Sequence, residues 1–203
     1  MEKNTCEGEC CSVFEALTIG DTVPEEIPFE VFQDDRIDSK TFKDYRGKWL
    51  VLFFYPGDFT FVCPTELAEM AELHDKFTAE GAEILSVSTD SAYVHKAWHD
   101  QSESIKLVKY GMAADPSHLL SELFDVLIPD TGEALRGTFI ISPDGVVKTI
   151  EVNDTAIGRC ADETLRKLKA AKFVGSHPAN VCPASWKEGD AVLTPGVDLV
   201  GKI

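Results

Sequence analysis

Cys63 stands in Tyr55-Pro56-Gly57-Asp58-Phe59-Thr60-Phe61-Val62-Cys63-Pro64-Thr65-Glu66, a setting suited to nucleophilic sulfur. The apolar run before it, from Trp49 to Tyr55, is rich in strand-forming residues and is stopped by Pro-Gly. After it, Leu67, Met70, Ala71, His74 and Phe77 recur at helical spacing. The sulfur is therefore expected where a buried strand hands over to a helix, in or just before the first helical turn. Unpaired backbone N–H groups and the positive end of the helix dipole favour an anion there. A free thiol, with a pKa near ~8.5, is mostly protonated at neutral pH, and this location shifts the balance towards thiolate. Thr60, one helical turn upstream, is placed to cap the helix or to hydrogen-bond a substrate oxygen beside the sulfur. Pro56 fixes the loop and shields the sulfur from bulk water.

Other residues could join this chemistry. Arg136, in Leu135-Arg136-Gly137-Thr138-Phe139, opens a late strand and by itself reads as a surface arginine. Glu66 is acidic beside a thiolate, so it must face away, either orienting an arginine or solvated in the first turn. Cys182 sits among prolines in His177-Pro178-Ala179-Asn180-Val181-Cys182-Pro183, a segment with little helical or strand character. Phe54, Phe59 and Phe61 could wall an apolar pocket, although core aromatics would look the same. His95, Trp98 and His99 share no metal-like spacing with a cysteine or carboxylate and are read as packing.

The elements that must position these residues can be traced along the chain. Residues 1–16 read as a polar, cysteine-containing extension, 17–175 as one domain, and 176–203 as an irregular tail. Glu30–Phe32 and Thr41–Phe42 suggest short edge elements ahead of the strand at 49–55. A helix over 63–78, ending near Gly81, leads to a strand over 83–88. Tyr93–His99 reads as helix and Leu107–Val108 as a short strand. A further helix starts at Asp115-Pro116-Ser117. Two strands flank the hairpin signal Ser142-Pro143-Asp144-Gly145. Asp162–Phe173 is the last helix. Alternating strands and helices of this order predict an α/β, thioredoxin-like fold, a central mixed sheet with helices on both faces.

The pattern P-x-x-x-T-x-x-C, filled here by Pro56, Thr60 and Cys63 within Phe-Thr-Phe-Val-Cys-Pro-Thr-Glu, resembles the peroxiredoxin active site. Val181-Cys182-Pro183-Ala184 and the terminal Asp198-Leu199-Val200-Gly201-Lys202-Ile203 extend the resemblance over roughly residues 17–203. It points to the typical 2-Cys peroxiredoxins, the group that includes the C subunit of bacterial alkyl hydroperoxide reductase. The resemblance implies a thiol peroxidase acting on hydrogen peroxide and organic hydroperoxides. Cys63 would form a sulfenic acid and Cys182 would resolve it as an intersubunit disulfide. Arg136 matches the family's active-site arginine, and Arg159, in Ile157-Gly158-Arg159, a supporting one. No cofactor or metal is implied. A flavoprotein disulfide reductase or a thioredoxin-like protein would restore the dithiol, and head-to-tail homodimers would close into a decameric ring.

Composition narrows the field further. The 203 residues are enough for one full core, and the net charge of −16 opposes nucleic acid and anionic membranes. No apolar run is long enough to span a bilayer and no secretory leader is recognisable, which makes the cytoplasm the default. Cys6, Cys10 and Cys11 in the amino-terminal extension depart from the family pattern: C-x-x-x-C-C is one thiol short of a closed zinc site, extra disulfides are an alternative, and the three read chiefly as mobile bystander thiols, while Cys160 stands alone, too far along the chain to join them. Gly111-Met112-Ala113-Ala114 stands where easily overoxidised relatives carry Gly-Gly-Leu-Gly, and no Tyr-Phe helix follows the tail, so overoxidation is expected to be slow. A thioredoxin-type dithiol oxidoreductase would need C-x-x-C, and Cys63 is followed by Pro64-Thr65-Glu66. A ring-shaped holdase chaperone rests only on the expected oligomer.

Overall fold

In the computed structural model, which describes residues 15–202, the strand expected before Cys63 lies near the middle of the sheet. Phe29–Gln33 (β1) turns back on Arg36–Lys40 (β2), and a 3-10 turn over Phe42–Tyr45 leads to Trp49–Phe54 (β3). Cys63–Glu72 (α1) and His74–Ala79 (α2) follow, then Ala82–Ser88 (β4), Ala92–Gln101 (α3) and Gly111–Ala114 (β5). Leu119–Leu123 (α4) precedes a small separate hairpin of Leu127–Ile128 (β6) and Glu133–Ala134 (β7). Arg136–Ile141 (β8), Val147–Asn153 (β9) and Ala161–Ser176 (α5) complete the fold. The main sheet runs β2-β1-β5-β4-β3-β8-β9. It is mixed: β3, β4 and β5 pair in parallel, while β1–β5, β3–β8 and β8–β9 are antiparallel.

Strand alternation divides the core in two. Leu50, Leu52 and Phe54 of β3 pack on one face with Phe124, Phe139, Leu120 and Leu123, the last two from α4. Val51 and Phe53, with Tyr55 beyond the strand, pack on the other with Cys63, Leu67, Met70, Trp98, Leu165 and Leu168. Helices α1, α3 and α5 therefore cover one face and α4 the opposite one, as a thioredoxin-like sheet requires. Phe54 belongs to the face away from Cys63 and cannot wall a pocket there.

Several local expectations need correction. Thr41–Phe42 is not an edge strand; Phe42 enters the 3-10 turn, and the polar segment Arg36–Lys40 takes the edge position. The helix expected over 63–78 breaks at Leu73, whose N–H still reaches the Glu69 carbonyl before α2 restarts. Leu107 ends a 3-10 turn, and the strand lies later, at Gly111–Ala114. There Gly111 is tightly packed: a Cβ would come within 2.8 Å of Val31 Cγ1. The tail is irregular, yet it is anchored. Trp186 is 3 % exposed, its ring lies 5.1 Å from that of Phe173, and its carbonyl accepts from Arg166 Nη1 at 2.9 Å.

Candidate active site

The loop between β3 and α1 is fastened from several sides. Pro56 is buried at its start. The Asp58 N–H donates to Asp90 Oδ2 at 2.8 Å, and Ser88 Oγ holds the same oxygen at 2.8 Å. The Asp58 carboxylate accepts from the Tyr55 hydroxyl at 2.7 Å and meets His95 Nδ1 at 2.8 Å. His95 Nε2 lies 3.1 Å from the Ala113 carbonyl. Burial, with the Asp58 charge beside it, pushes the Tyr55 phenol well above its usual range, so it stays a donor. Next comes Phe59, at φ +56°, a left-handed conformation uncommon for a bulky residue, with its ring 6.0 Å from Trp98.

Thr60 does not cap the helix. Its hydroxyl donates to the Gly57 carbonyl at 2.8 Å, and no side chain caps α1, whose N-cap is Val62. Pro64 in the first turn lacks an N–H, which removes one donor that a cap would have had to satisfy. The bond to Gly57 spends the hydroxyl's proton and leaves its lone pairs to accept.

Cys63 is the first residue of α1 and fully buried. Arg136, at the start of β8, places Nη1 3.5 Å from the sulfur and 2.6 Å from Glu66 Oε2. Its Nε donates to the Thr155 carbonyl at 2.8 Å. Glu66 lies one turn beyond Cys63 and turns towards the sheet, not the solvent. Its Oε1 accepts from the Arg159 N–H at 2.7 Å and from Nε at 2.9 Å, while Oε2 accepts from Nη2 at 3.0 Å. Arg159 Nη1 donates to the Gly137 carbonyl at 2.8 Å and to Thr138 Oγ1 at 3.1 Å. Burial alone would raise the Glu66 pKa, but the Arg159 bonds outweigh it and hold the carboxyl below its ordinary range. Neither arginine is a surface residue.

The remaining candidates lie apart from this cluster. Cys182 is half-buried in the tail, where Val181 makes a two-residue bridge with Leu193. Burial raises its thiol pKa, against the pull of Arg166. Cys160 is an exposed thiol at the N-cap of α5, and Phe61 is exposed on the loop. Cys6, Cys10 and Cys11 lie outside the described residues. Among those residues no three His, Cys, Asp or Glu side chains gather as for a metal, and no helix is long and apolar enough to cross a membrane. A cavity of about 1050 Å³ between α5, the tail and the β8–β9 turn is lined by none of the site residues. Asp58, Tyr55 and His95 were not legible as a unit: the Asp–His contact spans 37 positions, and no local motif joins them.

Residues 19–150 match the model of the AhpC/TSA family. Alkyl hydroperoxide reductase C of Bacillus subtilis is 50 % identical over 181 residues, 88 % of this chain and 97 % of the relative. The protein of the same name in Salmonella typhimurium is 49 % identical over 174 residues, covering 86 % of this chain and 93 % of its own. Among solved structures, Enterococcus faecalis AhpC superposes with a TM-score of 0.79 at 44 % identity, covering 81 % of this chain and 98 % of that one. Reduced 2-Cys peroxiredoxin of Plasmodium vivax gives a TM-score of 0.84 at 32 % identity, covering 89 % and 94 %.

Proposed function

This chain belongs to the AhpC/TSA family, and from that premise we propose that it is a thiol peroxidase with Cys63 as the attacking sulfur. One observation carries the residue assignment: a buried sulfur at a helix start, 3.5 Å from a guanidinium that a buried carboxylate fixes in place. The Cys63 thiolate attacks one peroxide oxygen, forming an S–O bond as the O–O bond breaks. Arg136 donates to the oxygens as charge develops on them, which is where a fixed donor lowers a barrier most. Thr60, its proton committed to Gly57, accepts from the peroxide O–H. The leaving oxygen takes up a proton from solvent, matching the one the thiol released on ionising, and departs as alcohol or water.

The sulfenic acid at Cys63 is resolved by Cys182 of a second copy, with loss of water and formation of an S–S bond. A fully buried sulfur cannot meet another cysteine directly, because bridged Cα atoms must approach within roughly 7 Å. The first turn of α1 must therefore open and the tail must lift. Hydrogen peroxide and organic hydroperoxides are the substrates in this reading. A flavoprotein disulfide reductase or a thioredoxin-like protein returns the dithiol. Dimers assemble into a decameric ring in the cytoplasm, as the kinship with AhpC-type proteins suggests.

Two variants test the assignment. Cys63→Ser should abolish peroxide turnover with the fold intact, because a hydroxyl is not appreciably ionised at neutral pH. Cys182→Ser should consume one peroxide per chain and then stop. More than about a tenth of wild-type turnover in Cys63→Ser would remove Cys63 from its role, a residue that great being inconsistent with loss of an activated nucleophile. Sustained cycling of Cys182→Ser would assign resolution to another thiol.

A further inference from the structure

We propose that Phe53 is a positioning residue for peroxide reduction: its ring, stacked on the Arg159 guanidinium, fixes the plane from which Glu66 aims Arg136 at Cys63. The proposal deepens the peroxidase reading and rests on it. Phe53 lies on β3, 1 % exposed, with its ring centroid 3.4 Å from Arg159 Cζ. Nothing in the sequence marks this residue, since an aromatic in a buried strand looks like core.

The edges of the Arg159 guanidinium are already engaged. Nε and Nη2 meet Glu66, and Nη1 meets Gly137 and Thr138. Bonds made in the plane of a fork hold its edges but resist rocking out of that plane only weakly. A flat ring against the face supplies the missing restraint, and its quadrupole attracts the cation most strongly where water is excluded. The strand register builds both restraints into one shelf. Phe53 pairs with Thr138 across β3 and β8, so the ring and the Thr138 hydroxyl come to Arg159 from neighbouring positions. Burial also lowers the Arg159 pKa, a penalty that an aromatic face partly offsets.

The consequence passes through one carboxylate. Glu66 binds Arg159 through both oxygens, and Oε2 also binds Arg136 at 2.6 Å. When the Arg159 fork tilts, Glu66 tilts with it, and Arg136 Nη1 leaves its place beside the sulfur. Phe53 touches neither substrate nor sulfur and acts only by holding this chain of contacts in plane.

The test replaces the ring without emptying the core. In full-length Phe53→Leu and Phe53→Met, the rate of Cys63 alkylation by iodoacetamide is followed against pH by peptide mass spectrometry. Peroxide consumption and thermal unfolding are measured on the same samples. The midpoint of the alkylation profile should move to higher pH, and the peroxide rate constant at neutral pH should fall about three- to thirtyfold, the span from a weak to a desolvated cation–π contact. In an Arg159→Met background, Phe53→Leu should move the midpoint no further, since the two residues act through one contact. The proposal is overturned if unfolding shifts while midpoint and rate stay within about twofold of wild type, the pattern of packing loss alone. It is equally overturned if the Phe53→Leu effect persists undiminished beside Arg159→Met. Should that background fail to fold, Phe53→Leu and Phe53→Met must agree, because they differ in shape but both lack the ring; disagreement assigns the effect to packing. Alkylation needs no peroxidase activity, so failure of the peroxidase reading would appear separately, as peroxide turnover surviving in Cys63→Ser.

Discussion

Glu66 holds two buried cations with one carboxylate, so its removal should cost more than either contact alone. Glu66→Gln leaves Arg136 and Arg159 without a counter-charge, a change that typically destabilises by about 3–5 kcal/mol. Denaturant unfolding should show that loss, and peroxide reduction should slow by on the order of 10²-fold as Arg136 loses its aim. A variant with wild-type stability and rate would make the carboxylate a bystander. The same residue sets an acid limit. Its folded pKa lies below the ordinary value of 4.5, so its contribution to stability is complete above that value and is lost as pH falls through the depressed one. Stability should therefore show no Glu66-linked decline between pH 7 and about 5, and acid unfolding should begin beneath the ordinary carboxylate range. Comparing the acid branches of wild type and Glu66→Gln isolates this effect, because the variant lacks the titrating group.

At the scale of elements, the loop before α1 and the tail after α5 are the pieces that the proposed Cys63–Cys182 disulfide would require to yield, and they are held differently. The loop is fixed by buried polar bonds through Asp58, whereas the tail leans on α5 through Trp186, Arg166 and the Lys169–Glu188 pair. Trp186→Ala should free the tail without touching Cys63. The reaction with the first peroxide should stay within about twofold of wild type, while protease cleavage near residues 180–190 accelerates, local opening being set by the few contacts holding the segment. An unchanged cleavage rate would mean that the tail is fixed elsewhere. The contrast between loop and tail also marks how far the sequence could be read. The strand–loop–helix around Cys63 was legible because Pro-Gly and a change of period lie within a few residues of it. Arg136 and Arg159 could be placed only by resemblance: the burial of Arg136 was hidden because a strand-start arginine looks exposed, and that of Arg159 because it stands in the loop before α5, outside any apolar period. Arg36–Lys40 escaped notice because an edge strand exposed on both faces shows no apolar alternation. The break at Leu73 was hidden because the apolar period continues through it to Phe77.

For the molecule as a whole, the charge of −16 and the amino-terminal cysteines invite an activity test. Cys6, Cys10 and Cys11 share their stretch with Glu7 and Glu9, whose negative charges oppose thiolate formation. A chain beginning at Ser12 should keep its peroxide rate within about twofold, since poorly ionised thiols add little nucleophile, and should lose only crosslinks made through those residues. A larger loss would bring the extension into the active machinery.

The site is also assembled from far apart in the chain: Arg136 comes to Glu66 across 70 positions and to Cys63 across 73, and Arg159 comes to Glu66 across 93. Contacts of such separation require large loops to close and belong to the slow part of folding. A nascent chain that has emerged only as far as α1 carries Cys63 as an ordinary thiol, with neither arginine yet synthesised. On the proposed reading, the nucleophile would be switched on by completion of the fold, and unfinished chains would be spared its reactivity. In refolding from denaturant, rapid reaction of Cys63 with peroxide should appear with the last kinetic phase and not with collapse. A sulfur that reacts at its full native rate before β8 and α5 have docked would show that the first turn of α1 activates it unaided.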